Sequence, residues 1–289
     1  MDLWDRQYRL SAGAAGGIGF EIGAGSPMPL HISFSLEKAD VQSPNTAKIS
    51  LWNLSPAHLA TLNRKDCVVT LKAGYGSSMP LLFVGTVINV ETETDGADTR
   101  TDLEVLDGRK ELRDTYVTLS YLSAVNSKTV IEAVAGEMGL PVVFSERAAF
   151  VDLPSYSFVG PGKDTLDRIC GTNRLVWSIQ NGILQVRGPN EPINMRAFLL
   201  SPKTGLVDVP KKLTKGEKNS GNATANSEEN KTQIGWEITY LMNAAIGVND
   251  YIKLESKKAS GVFRVSKIKI EGDNFGDRWV CTAEILEVG

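Results

Sequence analysis

The sequence predicts a mainly β protein of the α+β class, with antiparallel β structure at both ends of the chain and an α/β unit between them. Residues 1–114 and 191–289 contain short runs of β-forming residues separated by turn residues. Between them, in residues 115–190, apolar residues recur at length with helical spacing. A chain of 289 residues with 42% hydrophobic residues can bury a sizeable core, so we expect two or three domains.

The first β segment is clearest in residues 49–90, where a strand, a short helix and two further strands follow one another. Ser55 is a favourable N-cap and Pro56 suits the first helical position, so we expect a short helix over residues 56–63. Gly76 and Pro80 then mark a turn between two extended runs. This order predicts a small antiparallel barrel or curled sheet that carries one helix. The predicted strands are residues 49–54, 67–73 and 81–90.

The middle segment contains two predicted helices and one predicted hairpin. Residues 128–138 place apolar side chains on one stripe, with Ser127 as the N-cap and Gly139 as the end of the helix. A second helix is predicted over residues 164–173. Asn181-Gly182 lies between two alternating runs, which is the strongest short hairpin signal in a sequence. Residues 115–190 are therefore predicted to form an α/β unit.

The last segment combines β structure with one long polar stretch. Residues 211–233 contain no aromatic residue and have a composition typical of a disordered loop. Because long insertions in compact domains are often binding elements, we expect this stretch to contact a partner; a merely solvated loop is the alternative. Residues 235–288 are predicted to be strands again. The lysines that would contact an acidic neighbour are Lys211, Lys212, Lys215 and Lys218.

The sequence lacks the motifs of common catalytic and metal sites. Neither His31 nor His58 belongs to an HExxH motif, and there is no Cys-x-x-Cys. Residues 160–165 resemble part of a Walker loop, but Ser157 and Asp164 stand where that loop requires glycine and serine or threonine. The glycines of residues 13–25 precede a strand and not a helix, so they predict a hairpin tip and not a cofactor loop. We therefore expect no catalytic residue, cofactor or metal, although paired carboxylates for glycoside cleavage stay open. Three cysteines at wide spacing are expected to be buried and free, Cys67, Cys170 and Cys281.

Charge and hydropathy exclude several classes of function. The formal net charge is −3, and no basic run indicates nucleic-acid binding. Residues 1–22 contain no apolar run long enough for a signal peptide or a membrane span, so we expect a protein without a membrane anchor that is made and kept in a cytoplasm.

Two separated blocks of residues carry a resemblance to a known family. The first block comprises Trp52, Asn53, Leu54, Gly74, Tyr75, Phe83 and Gly85, and the second comprises Gly235, Trp236, Gly272, Asp273 and Asn274. In order and rough spacing they resemble the central hub proteins of bacteriophage tails and baseplates. Together with the middle segment, the two blocks span most of the chain.

The resemblance implies an architecture and a function. It implies two small antiparallel β-barrel domains, at residues 1–114 and 191–289, flanking an inserted α/β domain at residues 115–190. Three copies would form a six-barrel ring that joins the hexameric tail tube to the trimeric spike or tip, initiates tube assembly and forms a channel for DNA ejection. DNA would pass through the lumen without specific binding. Tape measure and baseplate wedge proteins are further implied partners, in a virion tail assembled in the bacterial host cytoplasm.

Two other functions stay open from the sequence. One is a tail-associated enzyme or carbohydrate-binding module that acts on the host surface. The five tryptophans are scattered along the chain, which favours core packing over a sugar platform. The other is a different tail ring, such as a distal adaptor; the α/β segment favours the hub over such single-barrel rings.

Overall fold

The computed structural model describes residues 5–14, 16–25, 29–213 and 235–288, in which strands dominate. The strands of the first segment are β1 (Arg6–Gly13), β2 (Phe20–Gly23), β3 (Ile32–Ala39), β4 (Thr46–Trp52), β5 (Val68–Tyr75), β6 (Leu81–Asp95) and β7 (Asp98–Leu106). Those of the middle segment are β8 (Tyr116–Tyr121), β9 (Val125–Asn126), β10 (Val142–Phe144), β11 (Asp152–Leu153), β12 (Tyr156–Pro161), β13 (Val176–Gln180) and β14 (Ile183–Arg187). Those of the last segment are β15 (Ala197–Leu200), β16 (Lys211–Lys212), β17 (Gly235–Leu241), β18 (Tyr251–Glu255), β19 (Ser260–Asp273) and β20 (Trp279–Glu287). The helices are α1 (Pro56–Leu62), α2 (Arg109–Asp114), α3 (Ser127–Met138) and α4 (Gly162–Thr172).

The first and last segments share one sheet of thirteen strands. Its order is β16-β17-β20-β19-β3-β4-β7-β6-β5-β1-β2, with β18 and β15 attached beside β19. All neighbours are antiparallel except β15 and β18. The link between the two segments is the pairing of β19 with β3, which places Ile270 opposite Leu36.

This sheet corrects the expectation of two β-barrels. Among the described strands no pairing closes the sheet on itself, and the two β segments are joined edge to edge. The sheet nevertheless curls, since β1, which lies far from β19 in the strand order, contacts the end of β19. Arg6 of β1 donates to the carbonyl oxygens of Asp273 (3.3 Å), the last residue of β19, and Gly276 (2.5 Å), in the turn that follows. One edge of the long strand β19 pairs with β3 of the first segment. In a separate barrel that edge would pair with another strand of the last segment.

One face of the sheet forms the core, as alternating residues require. In β3, Phe34 and Leu36 are buried, whereas Ser35 and Glu37 point to the other face. Phe34 meets the fully buried Trp279 edge to face at 5.6 Å. Burying a side chain of this size contributes about 1.5 to 3 kcal/mol, so this layer dominates the stability of the sheet.

The middle segment has its own hydrophobic cluster, in which α3 and α4 pack against β8, β12, β13 and β14. Helix α3 ends at Gly139, whose φ of 69° is the left-handed conformation predicted for it. Its N-cap is Asn126 and not the predicted Ser127; the Asn126 side chain accepts from the Lys128 amide at 3.0 Å. The predicted domain boundaries stay a prediction.

Two further local predictions agree with the structure. Helix α1 has Ser55 as its N-cap, whose hydroxyl accepts from the His58 amide at 3.2 Å. Strands β13 and β14 are joined at Asn181 and Gly182, with φ of 53° and 73°. None of the described helices has the length and apolar character needed to cross a membrane.

Candidate functional site

The two blocks of the resemblance meet at one end of the shared sheet. His31 stacks on Trp52 of the first block, with ring centroids 3.8 Å apart and an interplanar angle of 15°. Its Nε2 lies 3.0 Å from Oδ1 of Asp273, which belongs to the second block. The ring of Phe275 lies 5.1 Å from His31 and is 70% exposed. We call His31, Trp52, Asp273 and Phe275 the aromatic junction.

The asparagines of both blocks fix the loops at this end of the sheet. Asn274 accepts from the Ile32 amide at 2.9 Å and donates to the Leu30 carbonyl at 3.0 Å. Asn53, with a left-handed φ of 58°, accepts from the Thr99 amide at 3.1 Å. These bonds hold the aromatic junction in place, because they replace strand pairing where the strands end.

The glycines of the blocks allow close approach of neighbouring groups. A Cβ on Gly272 would lie 2.2 Å from the Phe34 ring, and one on Gly85 would lie 2.7 Å from the Leu106 carbonyl oxygen. A Cβ on Gly74 would lie 2.0 Å from the Ser78 carbonyl oxygen. Glycine is therefore required at these three positions for the close packing of the sheet.

The remaining residues of the blocks lie apart from the aromatic junction. Leu54, Tyr75 and Phe83 belong to the core. Gly235 and Trp236 begin β17 and pair with β20. The structure therefore brings together part of the predicted set and distributes the rest through the sheet.

Of the four lysines predicted to contact a partner, two are described. Lys211 and Lys212 form β16 at the edge of the sheet, and Lys211 Nζ lies 3.4 Å from Oε1 of Glu237 in the same chain. Lys215 and Lys218 lie outside the described residues. Partner contact by this segment stays a prediction.

A buried polar junction attaches the middle segment to the sheet. Asp107, only 1% exposed, follows β7 and accepts from the amides of Asn181 (2.5 Å) and Gly182 (3.0 Å). Asn45 donates to Asp107 at 3.3 Å and to the Ile179 carbonyl at 3.0 Å. The β13–β14 turn is thus held by a carboxylate of another segment.

Burial determines the ionisation of this polar junction. It raises the pKa of the Asp107 carboxyl to about 6, although the amides of Asn181 and Gly182 act in the opposite direction. Burial also lowers the pKa of Lys38, which donates to Asn181 Oδ1 at 2.8 Å, to about 8. The side chains of Asp107, Asn45 and Lys38 are buried and hydrogen-bonded, as suits a rigid attachment.

A second buried cluster joins all three segments around Asp40. Arg264 donates to Asp40 and to Asn249, both at 2.9 Å. Arg187 of the middle segment also contacts Asp40, and burial lowers the pKa of the Arg187 guanidinium to about 9. Asn249 donates in turn to Gln185 at 3.2 Å. Two arginines share one carboxylate here, so loss of Asp40 would leave two buried cations unpaired.

The exposed face of the sheet is polar and bears many charges. By strand register, Ser35 faces Lys48 on β4 and Glu271 on β19, and Lys48 in turn faces Glu104 on β7. Ion pairs run along it, as between Arg100 and Asp102 at 3.0 Å. We call this the polar face. Its acids outnumber its bases by a small margin. The acids are Glu21, Glu37, Glu91, Glu93, Asp102, Glu104, Glu237, Glu271, Asp273 and Glu284, and the bases are Arg9, Lys48, Lys72, Arg100, Lys211, Lys267 and Lys269.

The tertiary structure creates a basic cleft that is not visible in the sequence. The cleft has a volume of about 430 Å³ and lies between the end of α1, the middle of β6 and α2. Its cations come from two short runs more than forty residues apart, and this separation is why no single basic patch is visible in the sequence. They are Arg64, Lys65, Arg109, Lys110 and Arg113.

Within the described ranges, no three His, Cys, Asp or Glu side chains are grouped so as to hold a metal ion. The three cysteines are buried and free, and burial raises the pKa of Cys170 to about 12 and of Cys281 to about 11.

Comparison with solved structures identifies the fold as one found in phage tail proteins. The 43 kDa tail protein of prophage MuSo2 from Shewanella oneidensis aligns with a TM-score of 0.64 at 9% identity, over 98% of this chain and 100% of that one. A tail protein from Neisseria meningitidis MC58 aligns with a TM-score of 0.64 at 8% identity, over 97% and 96%. No protein-family model and no curated protein matches the sequence.

A third similar structure belongs to a related machine. The E. coli c3393 protein is a component of the type VI secretion system with structural similarity to the T4 bacteriophage tail proteins gp27 and gp5. It aligns with a TM-score of 0.57 at 9% identity, over 92% of this chain and 76% of that one. The resemblance to phage tail and baseplate proteins is confirmed at the level of the fold.

Proposed function

We propose that this protein is the central hub of a phage tail or phage-like particle, a structural protein that joins the tail tube to the spike or tip. The observation that carries the proposal is the single sheet built from both ends of the chain, in the fold of tail proteins, with one apolar face buried and one polar face exposed. In this proposal three copies form a ring whose lumen is lined by the polar face. The ring initiates tube assembly and lets DNA pass during ejection.

The charge of the polar face supports passage of DNA without binding. Lys48, Arg100 and Lys269 each lie within 4.0 Å of a carboxylate on the same face. Since paired cations attract phosphates weakly and the surplus charge is negative, the backbone of DNA is not held electrostatically.

The rigid attachment of the middle segment supports a structural role. Two buried polar clusters, around Asp107 and Asp40, fix it to the sheet. A ring that transmits force between tube and spike needs segments that do not shift relative to one another. The proposed partners are two further copies, the tube protein and the spike protein, with tape measure and wedge proteins as additional neighbours. The proposed location is the virion tail, after assembly in the host cytoplasm.

The first test is the mass of the protein in solution by light scattering, alone and mixed with the tube and spike proteins of the same particle. We expect a species of three chains of 31.3 kDa, alone or within the complex. A monomer that binds neither partner at any concentration would overturn the hub assignment.

A second test addresses the lumen. Glu104→Lys with Glu284→Lys adds two cations to the polar face, and we expect particles that assemble but eject DNA more slowly. The matched control reverses Glu137 and Glu146, exposed acids of the middle segment away from the sheet. Equal ejection rates in both variants would contradict a lumen lined by the polar face.

One observation favours a carbohydrate-binding role as the second candidate. The Phe275 ring is 70% exposed and adjoins the His31 and Trp52 stack, and exposed aromatic rings of this kind suit sugar faces. Binding of cell-wall fragments that is lost in Phe275→Ala, with no trimer in solution, would favour this function over the hub.

A further inference from the structure

The basic cleft is lined by five cations and by one carboxylate, Asp66, whose Oδ1 lies 3.8 Å from Arg113. Arg113 is paired with Asp114, its Nε lying 2.5 Å from Oδ1. Among the described residues, none lies in an ion pair with Arg64, Lys65, Arg109 or Lys110. Like charges gathered in one cleft repel one another, so an anionic group entering it would relieve that repulsion.

An acidic element of complementary size projects from the same chain. Strands β6 and β7 extend beyond the rest of the sheet, since β4 ends its pairing at Trp52 opposite Arg100. Residues 91–99 are all exposed on both faces of this two-stranded extension. We call residues 91–98 the acidic hairpin. Its carboxylates are Glu91, Glu93, Asp95 and Asp98.

Within the described ranges, most carboxylates of the acidic hairpin lie in no ion pair. Asp95 and Asp98 accept from the neutral side chains of Trp52 (3.0 Å) and Asn53 (2.8 Å). Glu93 is the carboxylate of the hairpin that pairs with a described cation, Arg100, at 3.4 Å. A two-stranded ribbon exposed on both faces is marginal by itself, so contact with another surface would stabilise it.

Only the base of the acidic hairpin lies beside the basic cleft of its own copy, because Glu91 accepts from Asn89 of the cleft lining at 2.9 Å. Both lie on β6, where residues 86–90 line the cleft and residues 91–95 run onward to the tip. An extended strand advances about 3.3 Å per residue, so the tip points away from the cleft. Contact between the tip and a basic cleft therefore requires a second copy, and head-to-tail contacts of this type form a ring where the rotation between copies closes.

We propose that the acidic hairpin of each copy docks in the basic cleft of the next copy. This inference rests on the proposed trimer and assigns its repeated contact. Glu93, Asp95 and Asp98 of one copy would meet the surplus cations of the next, and the contact weakens as salt rises because it joins exposed charges.

The test reverses the charges on one side and then on both. The cleft variant is Lys65→Glu with Lys110→Glu, and the hairpin variant is Glu93→Lys with Asp95→Lys. Each variant is measured by light scattering at about 0.15 M salt, in the assembled complex if the wild-type trimer needs its partners. The control is Lys257→Glu with Lys258→Glu, an exposed pair of lysines before β19.

We expect each one-sided variant to need a concentration at least about tenfold higher for trimer formation, and the variant reversed on both sides to regain assembly. Rescue by the second reversal excludes simple misfolding. One-sided variants that assemble like the wild type would overturn the inference and leave the hub proposal standing. Failure of the doubly reversed variant to recover would also overturn it, and binding of short DNA by the wild-type cleft would then identify a phosphate site. A wild-type protein that never forms a trimer would instead refute the hub proposal itself.

Discussion

Replacing Asp107 by alanine is the substitution that most directly tests how the middle segment is attached to the sheet. In the native structure its carboxylate accepts from two main-chain amides of the β13–β14 turn and from the Asn45 amide. Alanine removes all three acceptor contacts at a site that is 1% exposed. The main-chain amides of Asn181 and Gly182 then lose this acceptor, whereas the Asn45 amide keeps the Ile179 carbonyl and Gln180 Oε1, both at 3.0 Å.

The magnitude follows from two opposing effects. Each orphaned donor costs about 1 to 3 kcal/mol, so the two amides give a gross loss of about 2 to 6 kcal/mol. Burial of the carboxylate is itself unfavourable at neutral pH, since the pKa of Asp107 is raised to about 6, and alanine relieves that cost. We therefore expect a net loss of about 1 to 2 kcal/mol at pH 7, or a melting temperature lower by about 2 to 8 °C.

Differential scanning calorimetry and urea unfolding would measure this loss. The matched control is Asp208→Ala, an exposed aspartate for which we expect no measurable change. A melting temperature of Asp107→Ala within about 1 °C of the wild type would refute the claim that this carboxylate holds the turn.

Three further predictions follow from the same structure. Because the folded-state pKa of Asp107 is about 6 against an ordinary 3.8, its contribution to stability is greatest below about pH 4 and is lost as the pH rises through 6. The difference in unfolding free energy between wild type and Asp107→Ala should thus be larger at pH 4.5 than at pH 7.5, and an equal difference would contradict the assignment. Gly272→Ala should cost about 1 to 3 kcal/mol in urea unfolding, because its Cβ would lie 2.2 Å from the Phe34 ring; Gly136→Ala, with open space around the new Cβ, should not destabilise. The Cys281 thiol, whose pKa burial raises to about 11, should react with Ellman's reagent at pH 8 only after denaturant is added; rapid labelling of the native protein would show that this part of the core opens.

Local features were predictable because they depend on neighbouring residues. The Ser55 cap and Pro56 define the start of α1, and Asn181-Gly182 defines a tight turn, since few residues adopt the left-handed backbone that this turn needs. The cap of α3 lies one residue before its predicted position. Asn126 and Ser127 both suit a cap, and the structure uses the Ser127 hydroxyl instead to donate to Asn173 at 2.8 Å.

The sequence by itself determined the apolar stripe of α3, the turn between β13 and β14 and the resemblance to tail hub proteins. Only the tertiary structure decided that β3 pairs with β19, that Trp52 and Asp273 meet at His31, and that the cations of the basic cleft gather in one place. Alternation of apolar and polar residues fixes the face that a strand buries, but every strand offers two edges with the same hydrogen-bonding groups. Which edge pairs with which depends on the packing of the whole core. Here β19 pairs with β3, so the two segments form one sheet where two separate barrels were predicted.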